Sequence, residues 1–222
     1  MPKSFITFGL IYIALQLLVL PLALTWGNWL LGSPLNETSL NFVFFALNFI
    51  VVTVAYRDFL IQNFKNLLLR PWLVLRFAGA GLMLYWVASF AVSFLILKIY
   101  PDFFNANDIS ISQMVTENFA LTSFGTIILV PVVEETLYRG VVFGGIFQKS
   151  PVLAYIISTA VFSMIHLLGY ISIYTPLQLL LCFVQYLPAG IILAWAYEKS
   201  DSIWAPILIH IAVNQIGTYS MR

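Results

Sequence analysis

The chain has 222 residues, 61% of them hydrophobic and only 9% charged, with a net charge of +1 and a mean hydropathy of +0.96. A soluble domain carries about 25% charged residues, so the apolar surplus excludes a water-facing globule and indicates an integral membrane protein. The balanced charge gives no footing for nucleic acid, and the single cysteine, Cys182, excludes an intramolecular disulfide.

In chain order, Lys3 precedes an apolar run from Phe5 to Leu24. That run is longer than a signal-peptide core of about 7–15 residues, so 5–25 is expected to be the first spanning helix. A span needs roughly 20 largely apolar residues. The stretches 40–57, 72–100, 118–148, 151–171, 175–198 and 202–220 meet that requirement. The expected architecture is an all-α, polytopic transmembrane helix bundle of seven spans, or eight if 175–198 breaks at Pro188. It forms a single integral membrane domain over 1–222, with N-terminal spans in 1–117 and a C-terminal part in 118–220 that carries the polar motifs described below.

Arg57, Lys65, Arg70, Lys149 and Lys199 fall in alternate loops, on the side shared with Lys3. Glu37, Asp102, Asp108 and Glu117 fall in the opposite loops. The excess of basic residues marks the cytoplasmic face, which places the N-terminus in the cytoplasm and, for seven spans, the C-terminus outside.

Charge inside a membrane is costly, and residues that bear it face a protein interior and serve function. Six polar residues within the spans stand out: Glu134, Glu135 and Arg139 in the fourth, His166 in the fifth, and His210 with Asn214 in the seventh. Neighbouring helical residues point about 100° apart, so Glu134 and Glu135 cannot face one partner. Glu135 and Arg139 have the i, i+4 spacing of a helix ion pair, with the acid on the favourable N-terminal side. That leaves Glu134 as the working carboxylate. All three could instead serve only to lock helices together. At 1.5 Å per residue, Glu134 and His166 lie ~21–22 Å from the cytoplasmic end and His210 and Asn214 roughly 12–20 Å, so three helices bring these groups to similar depth.

A carboxylate beside an imidazole can polarise water for attack on a carbonyl, and the resulting oxyanion needs donors. Glu134 and His166 suit the first task, and His210 and Asn214, one turn apart, suit the second. This is amide hydrolysis without a covalent enzyme intermediate. The pattern lacks a His-Glu-x-x-His zinc helix, membrane-embedded aspartates and a Gly-x-Ser-x-Gly elbow. A zinc site built from Glu134, His166 and His210 stays open on spacing alone, since three ligands and a water suit catalytic zinc.

Glu134-Glu135-x-x-x-Arg139, Phe162-x-x-x-His166 and His210-x-x-x-Asn214 occur in this order. Together they resemble the three motifs of the CPBP family, the CAAX prenyl proteases and bacteriocin-processing enzymes also called Abi proteins. The resemblance covers about 118–218. It implies an intramembrane endopeptidase of the glutamic type, with Glu134 and His166 activating water, His210 and Asn214 forming the oxyanion hole, and no cofactor. Zinc is the minority alternative, in line with the family's older metalloprotease label. The expected partners are a membrane-associated peptide or protein substrate and the lipid bilayer, in a prokaryotic cell membrane. Two rival readings are a non-catalytic bacteriocin-immunity or regulatory membrane protein and a proton-relaying transporter. The transporter reading is weakened because the first half has no counterpart to the polar groups that follow residue 130.

Overall fold

The computed structural model describes residues 2–222. Among these the regular structure is helical: α1 (Lys3–Leu18), α2 (Leu20–Leu30), α3 (Glu37–Ala55), α4 (Arg57–Leu69), α5 (Pro71–Ile99), α6 (Ala106–Glu117), α7 (Phe119–Phe147), α8 (Pro151–Ile165), α9 (Pro176–Ser200) and α10 (Trp204–Ser220). Boundaries follow ordinary helix chemistry. Asn36, Asn105, Asn118, Ser150 and Thr175 accept backbone N–H groups at N-termini, and proline opens α5, α8 and α9.

Four helices, α3, α5, α7 and α9, are long and apolar enough to cross a membrane, and α1 with α2 make a fifth if that pair, bent by 41°, is one span. Large apolar side chains such as Val87, Phe90, Phe94 and Leu22 stand exposed on the outside of the bundle. That is the surface expected of a protein solvated by lipid, and the chain is an integral membrane protein.

Each of the seven apolar stretches coincides with a helix or helix pair, but α8 and α10, at 15 and 17 residues, are shorter than a full span. α9 runs unbroken through Pro188, so the division that would give eight does not occur. The fifth stretch ends six residues earlier than expected, at Ile165. There the His166 side chain, rather than a backbone N–H, takes the Phe162 carbonyl at 2.8 Å, and the chain tightens into i→i+3 turns over Leu168–Tyr170. Two segments expected as loops are helical: α4, and α6, which lies between α5 and α7.

α7 is the hub of the bundle. Its apolar window is 61% buried, against 11% for α5. Val133, Leu137, Tyr138 and Val141 pack with Val52 of α3, Val74 of α5, Phe162 of α8, Leu193 of α9 and Ile209 of α10. Where α8 and α9 cross, Gly190 lets the backbones approach, since a Cβ there would lie 2.6 Å from a Thr159 methyl group. At one end, Asn63 and Asn66 of α4 hold the turn between α9 and α10 through Ser202, Ile203 and Asp201, so two of the basic loops share one end of the molecule. At another junction, Asn36 and Thr38 donate to Glu117.

Candidate active site

α7 is not a uniform α-helix. Phe124–Leu129 and Glu135–Phe143 are wound as π-helix, with α-helical Val130–Glu134 between them. Such i→i+5 turns are rare and gather at functional sites. Pro131 supplies a local reason. It has no N–H to offer the carbonyl of Thr126 five residues before it, and that carbonyl instead accepts the Asn214 side-chain amide at 2.7 Å. Of the two N–H groups on Asn214 Nδ2, one is thereby fixed and the other remains available.

The site lies in a cavity of about 1210 Å³ lined by residues of α7, α8, α9 and α10, among others. Glu134, His166, His210 and Asn214 all line it. Glu134 is half-buried, and its Oε2 has no hydrogen-bond partner. Glu135, the first residue of the second π segment, points elsewhere and is fully buried. Its Oε1 meets an Arg139 amino group at 3.2 Å and His210 Nδ1 at 2.8 Å. Arg139, also fully buried, lies 4.2 Å from the centroid of Phe162 and reaches toward the Gly190 carbonyl at 3.5 Å. A buried guanidinium is tolerable only with such compensation.

The hydrogen bonds of the two imidazoles restrict their chemistry. The Phe162 carbonyl can only accept, so His166 Nδ1 carries hydrogen and a neutral ring keeps Nε2 as an acceptor. His210 Nδ1 donates to the Glu135 carboxylate. Its Nε2 is then an acceptor in the neutral ring and a donor in the imidazolium. Glu135 thus fixes the tautomer of His210, a role that i, i+4 spacing with Arg139 did not reveal. Three further polar contacts of the cavity wall also lay outside the sequence reading. Tyr186 stacks on His166 at 4.2 Å, Gln16 of α1 donates to the Tyr138 hydroxyl at 3.2 Å, and the Thr126 carbonyl holds Asn214. Only the last had a signal in the sequence, the five-residue spacing from Thr126 to Pro131. Asp108 of α6 lines the same cavity, and desolvation by the surrounding protein pushes its carboxyl up to about 6.

A zinc centre would need three donors converging on one point. Among the described residues no three His, Cys, Asp or Glu side chains are grouped to hold a metal ion. The Nδ1 bonds of His210 to Glu135 and of His166 to Phe162 leave Nε2 as the free acceptor of each neutral ring.

Residues 116–216 match the family model described as type II CAAX prenyl endopeptidase Rce1-like. The resemblance to the CPBP family drawn from the three motifs is borne out over this part of the chain. Among curated proteins, the UPF0177 protein YxdF of Lactococcus lactis subsp. lactis (strain IL1403) is 30% identical over 95 residues, 43% of this chain and 47% of that protein. The "Putative membrane peptidase YdiL" of Bacillus subtilis (strain 168) is 28% identical over 86 residues, 38% of this chain and 30% of that protein. The matches thus span less than half the length of either relative. No solved structure matches at a significant level.

Proposed function

We propose that this chain is an intramembrane endopeptidase of the glutamic type, similar to CAAX proteases, that hydrolyses a peptide bond in a membrane-associated peptide or protein. The observation that carries the reading is that Glu134, His166, His210 and Asn214, from three separate helices, line one cavity. The Rce1-like match over the same region supports it.

Glu134 and His166 polarise a water molecule. Its oxygen attacks the carbonyl carbon of the scissile amide while its proton passes to Glu134. The carbonyl electron pair moves onto oxygen, where the free N–H of Asn214 and the Nε2–H of an imidazolium His210 stabilise it. Glu135 supplies the counter-charge for that imidazolium. Collapse restores the carbonyl and breaks the C–N bond, and the departing nitrogen takes the proton held by Glu134. The products are an acid and an amine, with no covalent enzyme intermediate and no cofactor.

In this reading the seven helical segments cross a prokaryotic cell membrane, α8 and α10 as short spans packed within the bundle. The N-terminus and the loops with Lys65, Lys149 and Lys199 lie in the cytoplasm.

The test is incubation of purified protein with the membrane peptides of its own cell, read by mass spectrometry beside Glu134→Gln. We expect cleavage products that fall ~10²–10⁴-fold in the variant, the range for loss of a general base, with an unchanged melting temperature. Equal cleavage by both proteins would remove Glu134 from the reaction. A folded wild-type protein that cuts nothing would favour the non-catalytic immunity or regulatory reading.

A further inference from the structure

His166 follows the last residue of α8 at a helix end, where a side chain is less confined than in mid-helix. Its Nδ1 bond to Phe162 fixes one ring nitrogen but does not fix the plane of the ring. Two aromatic rings lie against it. Phe162 sits at 4.8 Å with the planes inclined by 56°, which limits the ring from one direction only. Tyr186 of α9 sits at 4.2 Å with an interplanar angle of 26°, a stacked contact that sets the plane itself.

Tyr186 is in turn anchored. Its hydroxyl donates to Asn105 Oδ1 at 3.3 Å. The same Asn105 oxygen caps α6 by accepting from the backbone of Asn107 and Asp108, and its amide donates to Gln185 at 2.7 Å. Gln185 donates onward to Ser93 of α5 at 3.3 Å. The ring beside His166 is therefore held by α5, α6 and α9 together, although Tyr186 belongs to none of the three motifs.

We propose that Tyr186 is a positioning residue for His166, fixing by stacking the plane in which Nε2 presents its lone pair to the cavity. The kinetic consequence rests on the endopeptidase reading. The geometric consequence does not, because it concerns the state of one imidazole in the folded protein.

The experiment compares Tyr186→Leu, which removes the stack, with Tyr186→Phe, which keeps the stack and loses only the bond to Asn105. The protein has two histidines, so ¹⁵N-labelled histidine in detergent micelles gives two ring systems, and His166→Gln assigns them. In wild type and Tyr186→Phe, His166 should show hydrogen fixed on Nδ1. In Tyr186→Leu the hydrogen should stay on Nδ1, held there by Phe162, while the freed ring plane lowers the order parameter of the Nδ1–H bond. In the cleavage assay kcat should fall ~10–10²-fold in Tyr186→Leu, the scale for a misplaced catalytic group. KM should stay within ~3-fold, and Tyr186→Phe should stay within ~3-fold of wild type in both constants. An unchanged Nδ1–H order parameter in a folded Tyr186→Leu would overturn the proposal. So would equal kinetic loss in the two variants together with lowered melting temperatures. If wild-type protein shows no cleavage, the endopeptidase reading fails by itself, and the histidine spectra still decide whether Tyr186 positions the ring.

Discussion

Glu135 Oε1 lies 2.8 Å from His210 Nδ1 and 3.2 Å from an Arg139 amino group, so one carboxylate oxygen serves two partners on α10 and α7. The acid next to it in sequence, Glu134, lines the cavity instead, its Oε2 unpartnered like the second oxygen of Glu135. Adjacent residues on one helix have thus been given opposite surroundings, and the two should respond differently to substitution.

Glu135→Gln leaves a fully buried guanidinium without its carboxylate. Breaking a buried pair in this way costs about 3–5 kcal/mol, and His210 also loses the acceptor that sets its tautomer. We expect poor expression and a clearly lowered melting temperature in detergent, alongside lost activity. A Glu135→Gln protein as stable as wild type would show that the buried pair does not hold the fold.

Asn214→Ala removes the available N–H beside the proposed oxyanion. Loss of one such donor lowers kcat by ~10²–10³-fold. The Thr126 carbonyl loses its partner as well, so a modest fall in stability should accompany the rate loss. Cleavage at the wild-type rate would exclude Asn214 from the oxyanion hole.

Metal dependence separates the proposed mechanism from its zinc alternative. An asparagine amide is a poor zinc ligand and a good oxyanion donor, and among the described residues no three His, Cys, Asp or Glu side chains are grouped to hold a metal ion. Purified protein should carry no stoichiometric zinc, and chelators should leave cleavage intact. Elemental analysis giving about one zinc per chain, with activity lost to a chelator and restored by zinc, would establish the metalloprotease instead.

Topology can be read by cysteine labelling with a membrane-impermeant reagent on intact cells. The native Cys182 is buried and gives a low background. A cysteine placed at Lys65 should stay unlabelled and one placed at Asp102 should react. The reverse pattern would invert the assigned orientation.

Much of the architecture could be read from the sequence because the membrane imposes a simple physical rule. Backbone polar groups in hydrocarbon must be satisfied within the chain, so long apolar runs become helices, and the ends of α3, α5, α7 and α9 fall within a few residues of the runs that predict them. α4 and α6 escaped notice because their composition is mixed and they sit outside the longest apolar stretches, where hydropathy carries little information. The early end of α8 was also invisible, since it depends on a side chain of His166 competing for one carbonyl. π-winding within α7 leaves no clear periodic signature, and only the missing N–H of Pro131 hints at it.

By itself, the sequence determined that the chain enters a membrane and which of its residues are too polar to face lipid. Glu134, Glu135, Arg139, His166, His210 and Asn214 stand out because an ionisable or amide group in an apolar run is expensive, and that cost is local to the residue. Only the tertiary structure decided who meets whom. Glu135 turns to His210 across 75 positions of chain, Asn214 takes the carbonyl that Pro131 leaves free, and Tyr186 lies flat on His166. Those pairings depend on how α7, α8, α9 and α10 cross and rotate against each other, which is set by the packing of all their apolar faces at once.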